Sequence, residues 1–435
     1  MPQIKTDMIL KGKKAAYITL GCKLNFSETS TIKHSLEEAG VITVGEKEGA
    51  DIFIINTCSV TDMAEHKGRQ LIRKIIHRYP HAYIVVVGCY AQLRAKEILE
   101  ITGVNLVLGA AEKFKVRQHL EAYNTPVERE IHSCDIFQLS GFDLAYSFGD
   151  RTRCFLKIQD GCDYFCTYCT IPFARGKSRS ASIAQVLQAV KTVALKGIKE
   201  VILTGVNTGD FGRGSSESFR ELLVALDQCA EMERFRISSI EPNLLTDEIL
   251  QFVASSRKFM PHFHIPLQSG NNEVLQLMKR RYTRELFAEK INKIRQLCPD
   301  AFIGVDVIAG MRGETEAHFE DTYRFIENLD ISQLHVFPYS ERAGTKALEI
   351  PETVLPQEKH RRVNLLLKLS EAKLSHFYQR FIGQTRPVLW EDNLVNGMIC
   401  GFTDNYIRVE SPYQAEWKNQ ILPFTLKTET FRKEY

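Results

Sequence analysis

The sequence predicts an α/β protein in three consecutive regions. They are an N-terminal α/β domain on a parallel sheet (residues 1–125), a partial (β/α)6 barrel (151–375) reached through a connection (126–150), and a small antiparallel β-barrel (376–435). Three observations predict it. Short apolar runs alternate with helical patterns twice along the chain. The second series has six such units, which suit a parallel barrel better than an open sheet. After residue 383 the pattern changes to short runs punctuated by polar triplets, as a small antiparallel barrel requires.

In the first region "AAYITL", "DIFIIN", "YIVVVG" and "NLVLGA" are apolar runs suited to strands buried on both faces. "SETSTIKHSLEEAG" and "EHKGRQLIRKIIHRY" carry helical periodicity between them. The looser "NTPVEREIHSCDIFQLSGFDLAYSFGDRTR" reads as a connection. The barrel strands are "FLKIQ", "EVILTG", "RFRISSI", "HFHIPL", "AFIGVDVIAG" and "QLHVFPY", each followed by a helical stretch. "LPQEKHRRVNLLLKLSEAKLSHFYQRFIG" reads as a basic amphipathic helix, and the tail's "EDN", "TDN" and "SPY" as turns between short strands.

With 435 residues, 44% hydrophobic and 25% charged, the chain can bury substantial cores. A net charge of +3 is too small for a global field, so affinity for nucleic acid has to come from local patches. Candidates are Lys67, Arg69, Arg73, Lys74 and Arg78 on one helix, Arg175, Lys177 and Arg179 in "ARGKSRS", and Lys279, Arg280, Arg281 and Arg284 in "MKRRYTRE". From His376 onward seven Lys and Arg face seven Asp and Glu, so an RNA role for the tail would rest on aromatic stacking and local charge. The start lacks an apolar core followed by a cleavage site, and no stretch approaches a membrane span. A cytoplasmic protein without membrane contact is expected.

Eleven cysteines, an odd number in a chain without export signals, point to reduced thiols serving as ligands rather than to a disulfide framework. "DGCDYFCTYCT" places Cys162, Cys166 and Cys169 with three and then two residues between them. A structural zinc site wants four ligands, and no fourth Cys or His follows at fixed spacing. Three soft thiolates fit an iron–sulfur cluster with one iron left open, and the missing ligand creates a substrate position. The triplet follows "FLKIQ", at the C-terminal end of the first barrel strand, where such folds put chemistry. Cys22, Cys58 and Cys89 each follow a strand of the first domain, so a parallel sheet would bring them to one edge. There they can hold a second cluster with an open iron, able to carry an extra sulfur.

The spacing of Cys162, Cys166 and Cys169, with Tyr168 before the last, resembles the motif of the radical S-adenosylmethionine (SAM) enzymes. Adding "ITLGCKLNFSE", "INTCSVTDMAE", "VVGCYAQ" and "HFHIPLQSGNNEVLQLMKRRYT", nearly the whole chain is similar to the methylthiotransferase family, and the tail resembles the RNA-binding TRAM domain. The resemblance implies two [4Fe-4S] clusters and SAM as both methyl donor and radical source. The six cysteines are then ligands at the catalytic centre, and the reaction inserts sulfur into an unactivated C–H bond and caps it with a methyl group.

It further implies SAM contacts from Tyr168 against the adenine, from Thr204, Gly205 and Asn207 in "LTGVNTG" toward the methionine amino group, and from Glu241, Gln268 and Arg281 toward ribose or carboxylate. The acidic residue of the commonest form of that glycine-rich element is missing, and Arg312 stands where proline is common. Lysine in "GCKLN" is similar to the branch acting on threonylcarbamoyl-adenosine 37 in the tRNA anticodon loop. Members acting on isopentenyl-adenosine 37 or on a ribosomal-protein aspartate are alternatives, as is a non-catalytic metal-bearing RNA scaffold. An electron donor such as flavodoxin or ferredoxin, a sulfur source and a monomeric state are implied with it.

Overall fold

The computed structural model describes residues 10–122, 129–149 and 152–432; the start of the chain before Leu10 and part of the expected connection lie outside the described residues. In the N-terminal region β1 (Lys14–Thr19), β2 (Ile42–Thr43), β3 (Ile52–Thr57), β4 (Tyr83–Gly88), β5 (Leu106–Leu108) and β6 (Glu130–His132) form a parallel sheet in the order β2-β1-β3-β4-β5-β6. Every residue of β3 and β4 is buried, because helices cover both faces. The helix Asp62–Arg78 starts on Thr61, whose hydroxyl accepts from Ala64 N at 3.1 Å, and has acids in its first turn and bases in its last.

The stretch expected as a plain connection is more ordered than its sequence suggests. Its Glu130–His132 extends the first sheet as β6, and β7 (Ala145–Tyr146) pairs antiparallel with the first barrel strand. Both segments are too short to carry a readable period.

The barrel strands are β8 (Cys154–Lys157), β11 (Glu200–Thr204), β12 (Arg234–Ile237), β13 (His262–Gln268), β14 (Phe302–Ala309) and β15 (Gln333–Pro338), with β9 (Gln159–Asp160) and β10 (Arg179–Ser180) as a small antiparallel pair above β8. Two sheets, β7-β8-β11-β12, parallel but for β7, and the parallel β13-β14-β15, are joined by single bridges, Phe235 to Phe259 and Ser239 to His264. No pairing joins β15 to β8 among the described residues, so the barrel is open on one side. Residues such as Leu156, Leu203, Ile265 and Val305 form the core under the outer helices, while Ile202, His264, Asp306 and His335 alternate with them and face the lumen. The helix Lys23–Glu38 of the first region packs on β7 and β8 beside the opening.

The helix Pro356–Gln379 covers the exposed edge of β15 and runs without a break through residues 375 and 376, the expected boundary. Beyond it β16 (Thr385–Val395), β17 (Met398–Thr403), β18 (Arg408–Pro412) and β19 (Ile421–Thr425) make an antiparallel sheet in the order β18-β17-β16-β19. The turn expected at "TDN" falls at Asp404 and Asn405, but "SPY" begins within β18 and "EDN" lies inside β16, where the register shifts between Trp390 and Leu394. The turn comes three residues later at Asn396 and Gly397, both with positive φ, a tight Asn-Gly hairpin. Tyr406 then enters the lower end of the barrel, with ring centroids 4.4 Å from His262 and 5.4 Å from Phe302, while Arg236 of β12 donates to Thr403 O and Asp404 O at 2.8 Å each.

Candidate active site

Parallel strand ends collect the first three cysteines. Cys22, Cys58 and Cys89 follow β1, β3 and β4, three adjacent strands of the sheet, and so stand on one edge. Backbone without side chains brings them close. A Cβ on Gly21 (φ +104°) would sit 2.8 Å from Cys58 Cβ and 3.0 Å from its Sγ, and one on Gly88 (φ +100°) would strike Thr57 O at 2.4 Å. Asn25 fixes the loop between β1 and the helix, donating to Leu20 O at 2.8 Å and Thr57 O at 3.1 Å.

The second trio lies on the loop after β8 and β9. Cys162 N donates to Gly176 O at 3.0 Å, Cys169 N to Cys166 O at 3.0 Å, and Ile171 N to Cys169 Sγ at 3.4 Å. Burial, with the neighbouring thiols adding to it, pushes Cys58, Cys162 and Cys169 up to about 12, and burial likewise raises Cys89 and Cys166. Such thiols stay protonated at neutral pH unless a cation replaces the proton. Two trios of soft donors, each with a glycine-lined backbone beside it, fit iron–sulfur clusters by the chemistry of the donor set.

The two trios share one wall. Thr170, next to Cys169, donates from Oγ1 to the carbonyl of Ser59, next to Cys58, at 3.3 Å. Arg342, from the loop after β15, donates to Ser59 Oγ at 2.9 Å and pairs with Glu65 of the first domain. Arg175, six residues after Cys169, donates to Glu28 Oε1 and Asp160 Oδ1 at 2.9 Å each and to Asn25 Oδ1 at 2.7 Å. Lys113 and Lys157 reach the same Glu28 oxygen at 2.6 and 3.3 Å, a fully buried charged network across the domain junction. Burial opposes ionisation of Glu28, yet Arg175 and the two lysines hold its carboxyl down at about 2.

Around the second trio the expected SAM contacts are placed as follows. Tyr168 joins an apolar wall with Met278, Met311 and Tyr339. Thr204 and Asn207 are buried, and Thr204 Oγ1 and Asn207 Nδ2 have no hydrogen-bond partner among the described residues, the condition of groups awaiting a polar ligand. A Cβ on Gly205 would lie 2.9 Å from Gln159 Oε1. Gln268, at φ +64°, ends β13 beside a register shift against β14.

Burial raises the Glu241 carboxyl against the opposing charge of Arg280, with which it pairs. Arg281 is exposed and holds the outer side of the cluster loop, donating to Asp163 O at 2.8 Å with its guanidinium over the Tyr164 ring. Its neighbour Arg280 turns inward at the same loop, donating to Cys166 Sγ at 3.1 Å and to Tyr168 Oη at 3.4 Å. Asp210 is also at this mouth, buried, with Oδ2 unpartnered; an acid six residues after Thr204 was the signal that could have found it. Arg312 ties its loop to Leu348 O and Ile350 O at 3.2 and 2.9 Å.

Several candidate phosphate contacts are otherwise engaged. Arg175 and Arg280 are in the networks above, Arg284 pairs with Asp321 at 2.7 Å, and Arg69 donates to Tyr90 Oη at 3.0 Å. Lys67, Arg73, Lys74, Arg78, Lys177, Lys279 and Arg281 are exposed. Phe137, Phe165 and Phe173, all exposed, form a group of rings 6.0–6.2 Å apart on the cluster loop and its neighbours. Inside the lumen His264 Nε2 lies 2.7 Å from Asp306 Oδ1, and the ligand atoms of His264, Asp306 and His335 all lie within 4.8 Å of one another.

Among the described residues no helix is long and apolar enough to cross a membrane. The Radical SAM superfamily model matches residues 156–326, and that of the Uncharacterized protein family UPF0004 matches residues 14–109. Threonylcarbamoyladenosine tRNA methylthiotransferase MtaB of Bacillus subtilis (strain 168) is 39% identical over 403 residues, covering 91% of this chain and 89% of that protein. The tRNA-2-methylthio-N(6)-dimethylallyladenosine synthase of Aliarcobacter butzleri (strain RM4018) is 33% identical, covering 91% and 92%. Among solved structures the fold is similar to the radical S-adenosylmethionine methyltransferase TsrM from Kitasatospora setae, with TM-score 0.56, 15% identity and coverage of 75% and 73%.

Proposed function

The chain belongs to the tRNA methylthiotransferase family of radical SAM enzymes, and on that premise we propose that it adds a methylthio group to C2 of N6-threonylcarbamoyladenosine 37 in the anticodon loop of tRNA. The observation that supports the reading is the contact between the loops of the two cysteine trios, the Thr170 hydroxyl on the Ser59 carbonyl, which brings the two candidate ligand sets side by side. When bound there, two [4Fe-4S] clusters and SAM supply the one-electron chemistry and the sulfur that acid–base catalysis cannot, because the C2–H of adenine is neither acidic nor nucleophilic.

The chain's own residues bind, orient and exclude water. Cys162, Cys166 and Cys169 hold one cluster and Cys22, Cys58 and Cys89 the other. Arg280 donates to Cys166 and neutralises Glu241 at the SAM side. Thr204 and Asn207 offer hydrogen-bonding atoms that lack protein partners to the polar end of SAM, and Asp210 supplies an acid there. The wall of Tyr168, Met278, Met311 and Tyr339 keeps the centre dry. The exposed cations along the helix Asp62–Arg78 and the three-phenylalanine group beside the cluster loop suit phosphates and unstacked bases, and the tail is read as an RNA-binding barrel of TRAM type. A cytoplasmic monomer served by a flavodoxin- or ferredoxin-like electron donor and a sulfur source completes the reading.

Mass spectrometry of tRNA nucleosides from a deletion strain tests it: methylthio-threonylcarbamoyl-adenosine should disappear and return with the intact gene. Loss of the isopentenyl product instead would move the chain to the other tRNA branch, and an unchanged profile would reopen the ribosomal-protein reading. Anaerobically reconstituted protein should carry about eight iron and eight sulfide per chain, falling to about four of each when either cysteine trio is replaced by alanine. A scaffold binding about one zinc would contradict this outright.

A further inference from the structure

A cavity of about 440 Å³ opens where the N-terminal domain, the barrel and the tail meet, and Cys22 and Lys23 line it together with Phe155 of β8 and with Arg153, Glu391 and Arg408. Arg153 is spoken for, pairing with Glu391 at 3.1 Å. Lys23 is different. It is half-buried, it follows a cluster ligand directly, and among the described residues it makes no hydrogen bond and no ion pair. No carboxylate stands within ion-pair distance of it among the described residues, so an anionic group entering the cavity would meet an unpaired ammonium.

The surroundings say which way that charge faces. Burial lowers His335 to about 4, with His264 and then Lys23 adding to the effect. Burial works against ionisation of Asp306, but His264, His335 and Lys23 together hold its carboxyl below the ordinary range. Lys23 therefore acts on the lumen wall built by β13, β14 and β15. Asp306 does not serve as its counter-ion, being hydrogen-bonded to His264 and outside ion-pair distance of Lys23. The spacing of His264, Asp306 and His335 would suit a divalent metal, but an ammonium facing the same lumen opposes a second cation.

We propose that Lys23 binds the carboxylate of the threonylcarbamoyl group on the target adenosine and is the residue by which this chain separates charged from uncharged N6 substituents. The inference rests on the tRNA reading above. Adenine carries C2 and the N6 substituent on one edge, with N1 between them. A base whose C2 is presented to the cluster held by Cys22 therefore brings its N6 substituent to the neighbouring residue. An isopentenyl group would leave the ammonium unpaired in a half-buried place, which gives rejection as well as recognition.

The test uses the reconstituted full-length enzyme and three anticodon stem-loop RNAs. They bear threonylcarbamoyl-adenosine, the same nucleoside with its carboxylate converted to a carboxamide, and isopentenyl-adenosine. Wild-type enzyme should prefer the acid to the amide. Lys23→Met should raise KM for the acid about tenfold to a hundredfold, the size of a lost charge-assisted hydrogen bond, and bring acid and amide to similar values. Lys23→Arg should restore most of the preference. A Lys23→Met enzyme that still distinguishes acid from amide as the wild type does, or that loses both equally, would overturn the role of Lys23 while leaving the tRNA reading intact. Wild-type enzyme that modifies only the isopentenyl RNA would overturn the substrate reading itself.

Discussion

Gly21 shows how far the site depends on a missing atom. At φ +104°, with Cys58 Cβ 2.8 Å from where its own Cβ would stand, it is the position at which two ligand-bearing loops touch. Gly21→Ala pays in backbone strain of roughly 1–3 kcal/mol and displaces Cys58. The expected result is a protein with about half the wild-type iron after anaerobic reconstitution, read by metal analysis per chain. The cysteines themselves were legible, because a ligand type at fixed spacing behind predicted strands is a local pattern. Arg280 was not, since the sequence offers two adjacent arginines and nothing in it says which turns inward. That choice is made by Lys279, whose left-handed φ of +54° ends the helix Asn272–Leu277 with Lys279 N on Gln276 O and Arg280 N on Leu275 O, 2.9 Å each. Lysine in a place that usually takes glycine gives no warning of the reversal.

The barrel's last strand is an edge, and the helix Pro356–Gln379 manages it through one side chain. Ser370 Oγ accepts from Leu334 N at 2.9 Å and donates to Leu334 O at 3.0 Å, standing in for the strand that β15 lacks. Ser370→Ala leaves both backbone groups buried and unmade, a cost of about 1–3 kcal/mol, which a lower denaturant midpoint of the apo-protein would register. The parallel strands β1, β3 to β5, β8 and β11 to β15 were readable from apolar runs because burial inside a layered sheet demands such runs. The short β6 and β7 were hidden in polar sequence, and "EDN" looked like a turn because acids and asparagine favour turns, although the Asn396–Gly397 pair was the stronger signal.

Across the whole molecule the junction between domains is a cage of charge that no sequence window could reveal, since Arg175 and Glu28 stand 147 residues apart. Glu28→Gln would leave Arg175, Lys113 and Lys157 buried with Asp160 as their remaining carboxylate among the described residues. That should cost about 3–5 kcal/mol, seen as early unfolding of the apo-protein in denaturant. The pH dependence has a definite sign. Glu28 titrates at about 2 when folded against 4.5 ordinarily, so its contribution is complete above 4.5 and disappears as pH falls toward 2. Wild-type apo-protein should lose stability more steeply than Glu28→Gln across that window. At the N-terminal ends of β13 and β14, Tyr406 packs against His262 and Phe302 and under Arg236, and Phe302 belongs to one apolar cluster with Phe377, Trp390 and Val409. The terminal sheet is thus the floor of a vessel rather than a detachable handle. A chain cut after Gln379 would stand bottomless, with aromatic rings wetted from below, and is expected to come out of expression as insoluble aggregate.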